Sequence, residues 1–378
     1  MATRCSSFRE LATCGSARAG VLTLPHGEVR TPAFMPVGTY GSVRGLTPAE
    51  VRATGAEMVL SNTYHLWLRP GHRTVERLGG LHGFMGWDGP ILTDSGGYQV
   101  FSLNKHLKVS EEGAEFRIPE TGDTRFLTPE VAVEIQEALG VDVAMAFDEC
   151  IEWPAERDRV AHSTERTTRW LTRCLRAREK PDRTALFGIV QGGLYEDLRV
   201  AHAQELASME ALDGLAIGGL SVGESRDDML AATSWVVPHL GRDRVRYLMG
   251  VGHPHDIVDA VRLGVDLFDC VLPTRLGRHG MVYTWQGRRN LKNARYAEDP
   301  LPLDPEDPSS PASGFSRAYL RHLVKSGEML GRRLLAAHNL HFYQQVLSRA
   351  REAILSNDPE GLEELSRATA VASALAPE

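Results

Sequence analysis

Three aspartates stand where an apolar run gives way to a polar loop. Asp94 lies in Thr93-Asp94-Ser95-Gly96-Gly97-Tyr98-Gln99, Asp148 in Phe147-Asp148-Glu149-Cys150, and Asp269 in Phe268-Asp269-Cys270. Two carboxylates flanking a glycosidic carbon can act as nucleophile and general acid/base, cleaving with retention through an oxocarbenium-like state. A third can accept hydrogen bonds from the amide and amino edge of a purine, since guanine offers two donors side by side to a carboxylate's two oxygens. The stretch Gly264–Gly280 holds most of this chemistry. Its apolar run carries Asp266 and Asp269, then breaks at Pro273 into an expected loop with Arg275 and Arg278. An aspartate at a strand end is often only a turn or cap residue, so its surroundings decide.

Those surroundings are basic. From Val271 to Tyr296 there is no Asp or Glu, while Arg275, Arg278, Arg288, Arg289, Lys292 and Arg295 supply six positive charges, interleaved with Tyr283 and Trp285. The chain as a whole carries a net charge of −7, which argues against a protein that coats nucleic acid unspecifically. Basic residues concentrated beside a carboxylate in an acidic protein point to a polyanion bound at that place.

The elements that must position these groups repeat along the chain. Short apolar runs recur at 33–37, 58–61, 91–93, 141–147, 186–190, 215–217, 246–249 and 265–268. Helical patterns lie between most of them, at 47–53, 128–139, 157–178, 195–209, 225–240 and 255–263. Thr47-Pro48 and Thr128-Pro129 are favourable helix starts, a Thr cap followed by Pro in the first turn. Continuous apolar strands alternating with amphipathic helices imply a parallel sheet covered by helices. Eight such units predict an α/β fold, a (β/α)8 TIM barrel, with an open doubly wound sheet as competitor. No Gly-x-Gly-x-x-Gly follows the first run, which counts against the open sheet.

In such barrels the site lies at the carboxyl ends of the strands, and polar or glycine-rich endings follow six of the runs. Besides the three acids these are Gln191-Gly192-Gly193, Gly218-Gly219-Leu220 and Gly250-Val251-Gly252-His253. Glycine pairs let backbone approach a flat ligand closely. Around the barrel (33–280) the sequence predicts an N-terminal hairpin over 1–32 and an inserted hairpin over 105–118. A second hairpin, then a helical subdomain, fills 281–356, with helices near 316–326 and 330–356. Residues 357–378 read as a small-residue tail. Hydrophobic residues make up 42% of the chain, enough for a large core. Five cysteines form no Cys-x-x-Cys pair, which suggests a reduced compartment. No apolar run is long enough to span a membrane and the N-terminus lacks a signal-peptide core, so a cytoplasmic location is expected.

Taken in order, the motifs resemble those of the bacterial tRNA-guanine transglycosylase family. The matching residues are Pro36-Val-Gly-Thr-Tyr40, Asn62-Thr-Tyr-His-Leu66, Thr93–Gln99, Phe147–Cys150, Ile189-Val-Gln-Gly-Gly193, Gly218-Gly-Leu220, Phe268-Asp-Cys-Val-Leu-Pro-Thr-Arg275, Ser316-Arg-Ala-Tyr-Leu320 and His338-Asn-Leu-His-Phe-Tyr343. They cover about residues 8–350. The resemblance implies exchange of guanine at the wobble position of a tRNA with a GUN anticodon for 7-aminomethyl-7-deazaguanine (preQ1), in queuosine biosynthesis. It implies Asp269 as nucleophile on the ribose C1′ and Asp94 as general acid/base. Ser95, Asp148, Gln191, Gly218, Gly219 and Leu220 would hold the base, Tyr98 and Met249 would stack on it, and Cys150 and Val222 would shape its pocket. Arg275, Arg278, Arg288, Arg289 and Lys292 would contact the tRNA. A homodimer is implied as well.

One departure accompanies the match. Members of this family carry a Cys-x-Cys-x-x-Cys after Pro302-Leu-Asp-Pro-Glu306, closed by a histidine, that binds structural zinc. Here the three cysteine positions hold Asp307, Ser309 and Ala312, and His338 alone remains. One imidazole and one carboxylate do not make a closed tetrahedral site, so no metal and no cofactor are expected. Three other readings stay open at this point: a tRNA-docking subunit without catalysis, the same exchange on DNA, and an ordinary glycosidase.

Overall fold

The computed structural model describes residues 5–103, 107–118 and 121–376. Every apolar run noted above overlaps a strand. The eight, taken in chain order as first to eighth, are Ala33–Pro36, Val59–Ser61, Ile91–Thr93, Val143–Met145, Ala185–Val190, Gly214–Ile217, Val245–Leu248 and Leu267–Cys270. They are parallel and follow one another round the sheet. The eighth pairs with the first, Asp269 opposite Met35, and a bridge between Val37 and Leu60 joins the first to the second. The sheet is therefore a closed (β/α)8 barrel.

The two-residue pleat sorts side chains into two layers. Met35, Leu60, Leu92, Val143, Met145, Phe187, Ile189, Tyr247 and Leu267 fill the inside. Phe34, Val59, Ile91, Ala144, Leu186, Leu215, Leu248 and Phe268 face the helices. Asp94, Gln191 and Asp269 each follow an inward residue by two positions, so the same alternation turns them toward the barrel axis.

The N-terminal segment is more than a hairpin. Ser7–Cys14, Ala17–Leu24 and Gly27–Thr31 make a three-stranded antiparallel sheet, whose Leu22, Leu24 and Val29 plug the amino end of the barrel. Buried polar contacts fix it there. Arg18 Nε donates to Asp266 Oδ1 at 2.9 Å, and the His26 N–H donates to Asp142 Oδ1 at 2.9 Å. The inserted hairpin likewise has a third strand, Thr124–Leu127, beside Lys108–Val109 and Ala114–Arg117. Residues 105–106 of that insertion lie outside the described residues.

Two segments differ from expectation. The region of Arg275 and Arg278 is a short helix, Leu272–Arg278, with Pro273 in its first turn. The residues after Asn357 form another, Pro359–Ser373, capped by the Asp358 side chain. Its Leu362, Leu365, Thr369 and Ala372 are buried. The second hairpin is small, Met281–Val282 against Arg289–Asn290, and the expected helices are Arg317–Lys325 and Met329–Leu355. The last of these packs on the barrel, where Tyr343 lies 4.8 Å from Phe34, ring to ring. A separate apolar cluster of Val282, Leu291, Leu303, Ala312, Leu320 and Leu335 holds the subdomain together.

Candidate active site

Asp94 follows the third strand and is buried. Its Oδ1 accepts the Thr63 N–H at 2.8 Å. Its Oδ2 accepts from Gln99 Nε2 at 2.8 Å and from the Asn62 side-chain amide. Those donors oppose the effect of burial, yet burial wins. With a further push from the negative charge of Asp269, the Asp94 carboxyl is raised to about 6. The field of one acid is thus felt at the other across the barrel mouth.

Asp269 ends the eighth strand. Its Oδ1 accepts the Tyr247 hydroxyl at 2.6 Å and the Gly250 N–H at 2.8 Å. Both donors bind the same oxygen, so the carboxylate is oriented while Oδ2 has no hydrogen-bond partner among the described residues. Burial raises this acid too. Sequence reasoning missed Tyr247, Asn62 and Thr63 as supports. Tyr247 looks like one more core residue of an apolar strand, and only its position two residues before a mouth loop hints at a polar task.

Asp148 follows the fourth strand. Ser95 Oγ donates to its Oδ1 at 3.0 Å and Gln191 Nε2 to its Oδ2 at 2.7 Å. Burial, with a contribution from Asp94, raises it to about 6. A side chain at Gly97 would meet the Asp148 carbonyl oxygen at 2.9 Å, and one at Gly218 would meet Ile189 Cγ2 at 2.5 Å. Gly219 has φ +62°, a backbone state that favours glycine. The glycine pairs are therefore close-approach positions. Cys150 sits among these groups, its thiol pushed up to about 12 by burial and by Asp148. Val222 lines an adjoining cleft with Trp153, Gln191, Gly193, Gly219 and Glu224. Glu224, another residue the sequence did not single out, accepts the Val222 N–H at 2.9 Å and that of Ser221. Leu220 is buried, Met249 half-buried, and Tyr98 stands 54% exposed at the start of the helix Gly97–Leu103.

This arrangement, three acids at one end of a barrel with no ion-pair partner among the described residues, can be set beside known proteins. The family model for queuine tRNA-ribosyltransferase matches residues 13–369. The queuine tRNA-ribosyltransferase of Desulforamulus reducens is 53% identical over 338 residues, 89% of this chain and 91% of that protein. Those of Geobacillus kaustophilus and Bacillus subtilis are 51% and 52% identical, over 92% and 89% of this chain and 92% and 88% of their own. The chain belongs to the queuine tRNA-ribosyltransferase family.

Relative to that family's zinc motif, the residues present do not fit a metal. Ala312 offers no ligand atom and is buried in apolar packing. Both ring nitrogens of His338 are occupied, Nδ1 by Ser310 Oγ at 2.7 Å and Nε2 by the Tyr283 carbonyl at 2.7 Å. Among the described residues one trio, His26, His82 and Asp142, has ligand atoms within 4.8 Å of one another. It lies at the other end of the barrel. Its imidazoles stack at 3.6 Å with an 18° tilt, and each spends a ring nitrogen on a separate Asp142 oxygen, His26 Nδ1 on Oδ1 at 2.9 Å and His82 Nε2 on Oδ2 at 3.1 Å.

The basic residues divide in two. Arg275 is exposed, and Arg278 is half-buried and lowered by burial together with the nearby charges of Arg44 and Arg275. Three like charges brought together, with no ion pair to an acid among the described residues, suit an anion. Arg44, in the loop after the first strand, was not foreseen. Arg288 is laced by backbone bonds to the C-terminal segment, its N–H donating to the Ala374 carbonyl at 2.7 Å. Arg289 donates to Gln286 Oε1 at 2.8 Å, and Lys292 is exposed. Among the described residues no helix is long and apolar enough to cross a membrane.

Proposed function

We propose that this chain exchanges guanine at the wobble position of a GUN-anticodon tRNA for preQ1, as a pentosyltransferase of queuosine biosynthesis working in the cytoplasm as a homodimer. One observation supports the reading: Asp94, Asp148 and Asp269 share one mouth, each raised by burial and none in an ion pair among the described residues. Perturbed acids of this kind in a concave site mark acid–base and nucleophilic chemistry.

The target base must leave its stack to be reached. Asp148 then accepts from the amide and amino edge, with Ser95, Gln191, Gly218, Gly219 and Leu220 around the ring, Tyr98 and Met249 on its faces, and Cys150 and Val222 shaping the end of the pocket. Asp269 Oδ2 attacks the ribose C1′ as the bond from C1′ to the base breaks. The electron pair leaves with the base, and Asp94 supplies the proton. The incoming base returns a proton to Asp94 and attacks C1′, expelling the Asp269 carboxylate. Covalent capture splits one hard substitution into two easier ones and retains configuration. Arg275 and Arg278, with Arg44, hold backbone phosphates, and Arg288, Arg289 and Lys292 extend that surface. Incubation with labelled guanine and unmodified tRNA tests the reading. Label enters the tRNA and is chased by preQ1 in ping-pong fashion, whereas label that stays free, or enters DNA in preference to tRNA, contradicts it.

No cofactor takes part, and the subdomain is held without zinc. Ser310 ties its loop to His338, which ties the long helix to the Tyr283 carbonyl. The neighbouring Asn339 takes the Tyr283 N–H at 3.0 Å. Beside them Asp307 accepts from Ser309 Oγ at 2.6 Å and from Gln345 at 3.0 Å. These bonds join the same three pieces, loop, hairpin and helix, that a metal would join. Elemental analysis of protein purified without chelator should find no stoichiometric zinc, and chelator should leave the melting temperature unchanged. One zinc per chain, or melting brought on by chelator, would overturn this.

A further inference from the structure

Among the described residues two arginines, Arg18 and Arg199, are fully buried, and they are treated differently. Arg18 meets the Asp266 carboxylate at 2.5 Å. Arg199, with none of its surface exposed, has no carboxylate within ion-pair range among the described residues. Its Nη2 donates to the Gly218 and Gly219 carbonyls, each at 3.1 Å. Its Nε donates to the Gly193 carbonyl, and its Nη1 is buried without a partner. Burial lowers the guanidinium only to about 10, so it stays charged at neutral pH. A buried cation that feels the field of Glu224 without contacting it is costly.

The carbonyls it grips indicate its use. Each peptide unit is a resonant plane, so the Gly218 carbonyl shares its unit with the Gly219 N–H, and the Gly219 carbonyl with the Leu220 N–H. A cation bonded to such a carbonyl draws electrons through the unit and makes the N–H at its other end a stronger donor. The Gly219 N–H faces the Cys150 sulfur, inside the base pocket. The approach itself is built in. A side chain at Gly192 would meet Arg199 Cγ and N at 2.8 Å, so only glycine there lets the arginine pass between the fifth- and sixth-strand turns.

We propose that Arg199 is a positioning residue for the exchange. It locks the turns after the fifth and sixth strands together, and it polarises the peptide units of Gly219 and Leu220 toward the negative charge that develops on the departing purine. This rests on the base-exchange reading above. The gain appears as that charge forms, so it belongs to the transition state more than to the bound base.

The test uses Arg199→Gln and Arg199→Lys in the full chain, with unaltered protein as control. Three quantities are read: the single-turnover rate of guanine release from tRNA, the equilibrium affinity for free preQ1, and the melting temperature. For Arg199→Gln we expect release to slow about tenfold or more, less than the 10²–10³ lost when a transition-state donor is removed outright. Affinity for preQ1 should fall by a smaller factor. Arg199→Lys keeps the charge with fewer prongs and should recover part of the rate, and it carries the test alone if Arg199→Gln does not fold. An unchanged release rate in a folded variant overturns the proposal. So does a loss shared equally by rate and affinity without recovery by lysine, which would mark a packing role. Failure of the unaltered protein to release guanine would sink the base-exchange reading instead.

Discussion

The two ends of the barrel use the same residue type in opposite ways. At the amino end Asp266 is bonded to Arg18 and to the Arg246 N–H at 2.6 Å. There Asp142 also takes the His26 and His82 rings at 2.9 and 3.1 Å and the Ile91 N–H at 2.8 Å, and its carboxyl is held below the usual range. At the carboxyl end Asp94, Asp148 and Asp269 receive only neutral donors among the described residues, and all three are raised; Asp266 is raised by its burial too, but against the opposing charge of Arg18. Asp266 stands just before the eighth strand and Asp269 within it, three residues on, yet only the first forms an ion pair among the described residues. Charge compensation distinguishes an acid that fastens the fold from one kept available for reaction. Neither burial nor the direction of the shift does so alone, since Asp94 and Asp148 are buried like Asp142 and Asp266, and Asp266 is raised as they are.

Substitutions at the two ends should therefore separate activity from stability. The largest effect on turnover apart from the nucleophile is expected for Asp94→Asn, about 10²–10⁴-fold, the usual scale for lost acid–base catalysis. Capture of the sugar should survive better than turnover, and unchanged turnover would remove Asp94 from the mechanism. At the other end, Arg18→Met leaves Asp266 buried without its cation, which should cost about 3–5 kcal/mol of stability. Denaturant melts would register that loss, while the folded fraction should exchange base at the normal rate. If it does not, the two ends are not independent.

The smallest effect is in pH. Asp94 must carry a proton to release guanine, so the release rate should fall as pH rises above about 6. Asp148 must lose its proton to accept from the purine edge, so affinity for the base should improve as pH rises through about 6. The stability sign follows from the same shifts. An acid whose folded value lies above its ordinary value holds a proton more tightly when folded, so it costs stability as pH rises from about 4 to 6 and the cost stays constant above. The difference in melting temperature between Asp148→Asn and the parent should therefore move in the variant's favour across that window. A flat difference would mean that Asp148 ionises at its ordinary value.

Much of the barrel was legible because its strands are short continuous apolar runs, and the polar endings named the mouth. Three helices of six residues were not, although Pro48–Ala53, of the same length, was announced by its Thr47-Pro48 start. Thr63–Leu68, His72–Arg77 and Gly80–Met85 are too short to show a helical period. Pro273 read as a break, but proline is tolerated in a first helical turn. The segment after Asn357 looked like a tail because its small residues carry little hydrophobic signal, yet Leu362, Leu365 and Ala372 find a groove to fill. At the site, the acids stood out by type and spacing. Their supports did not: Tyr247 resembled core, and Arg199 resembled the polar face of an exposed helix. Whether such a side chain points in or out is decided by tertiary packing, which spacing along the chain does not encode.

The central claim is that Asp269 becomes bonded to the ribose during exchange. Trapping on a denaturing gel with an anticodon stem-loop tests it most directly. The unaltered protein should give a slowed band that forms without preQ1 and clears when preQ1 is added, and Asp269→Asn should give none. A band retained in Asp269→Asn would contradict the account.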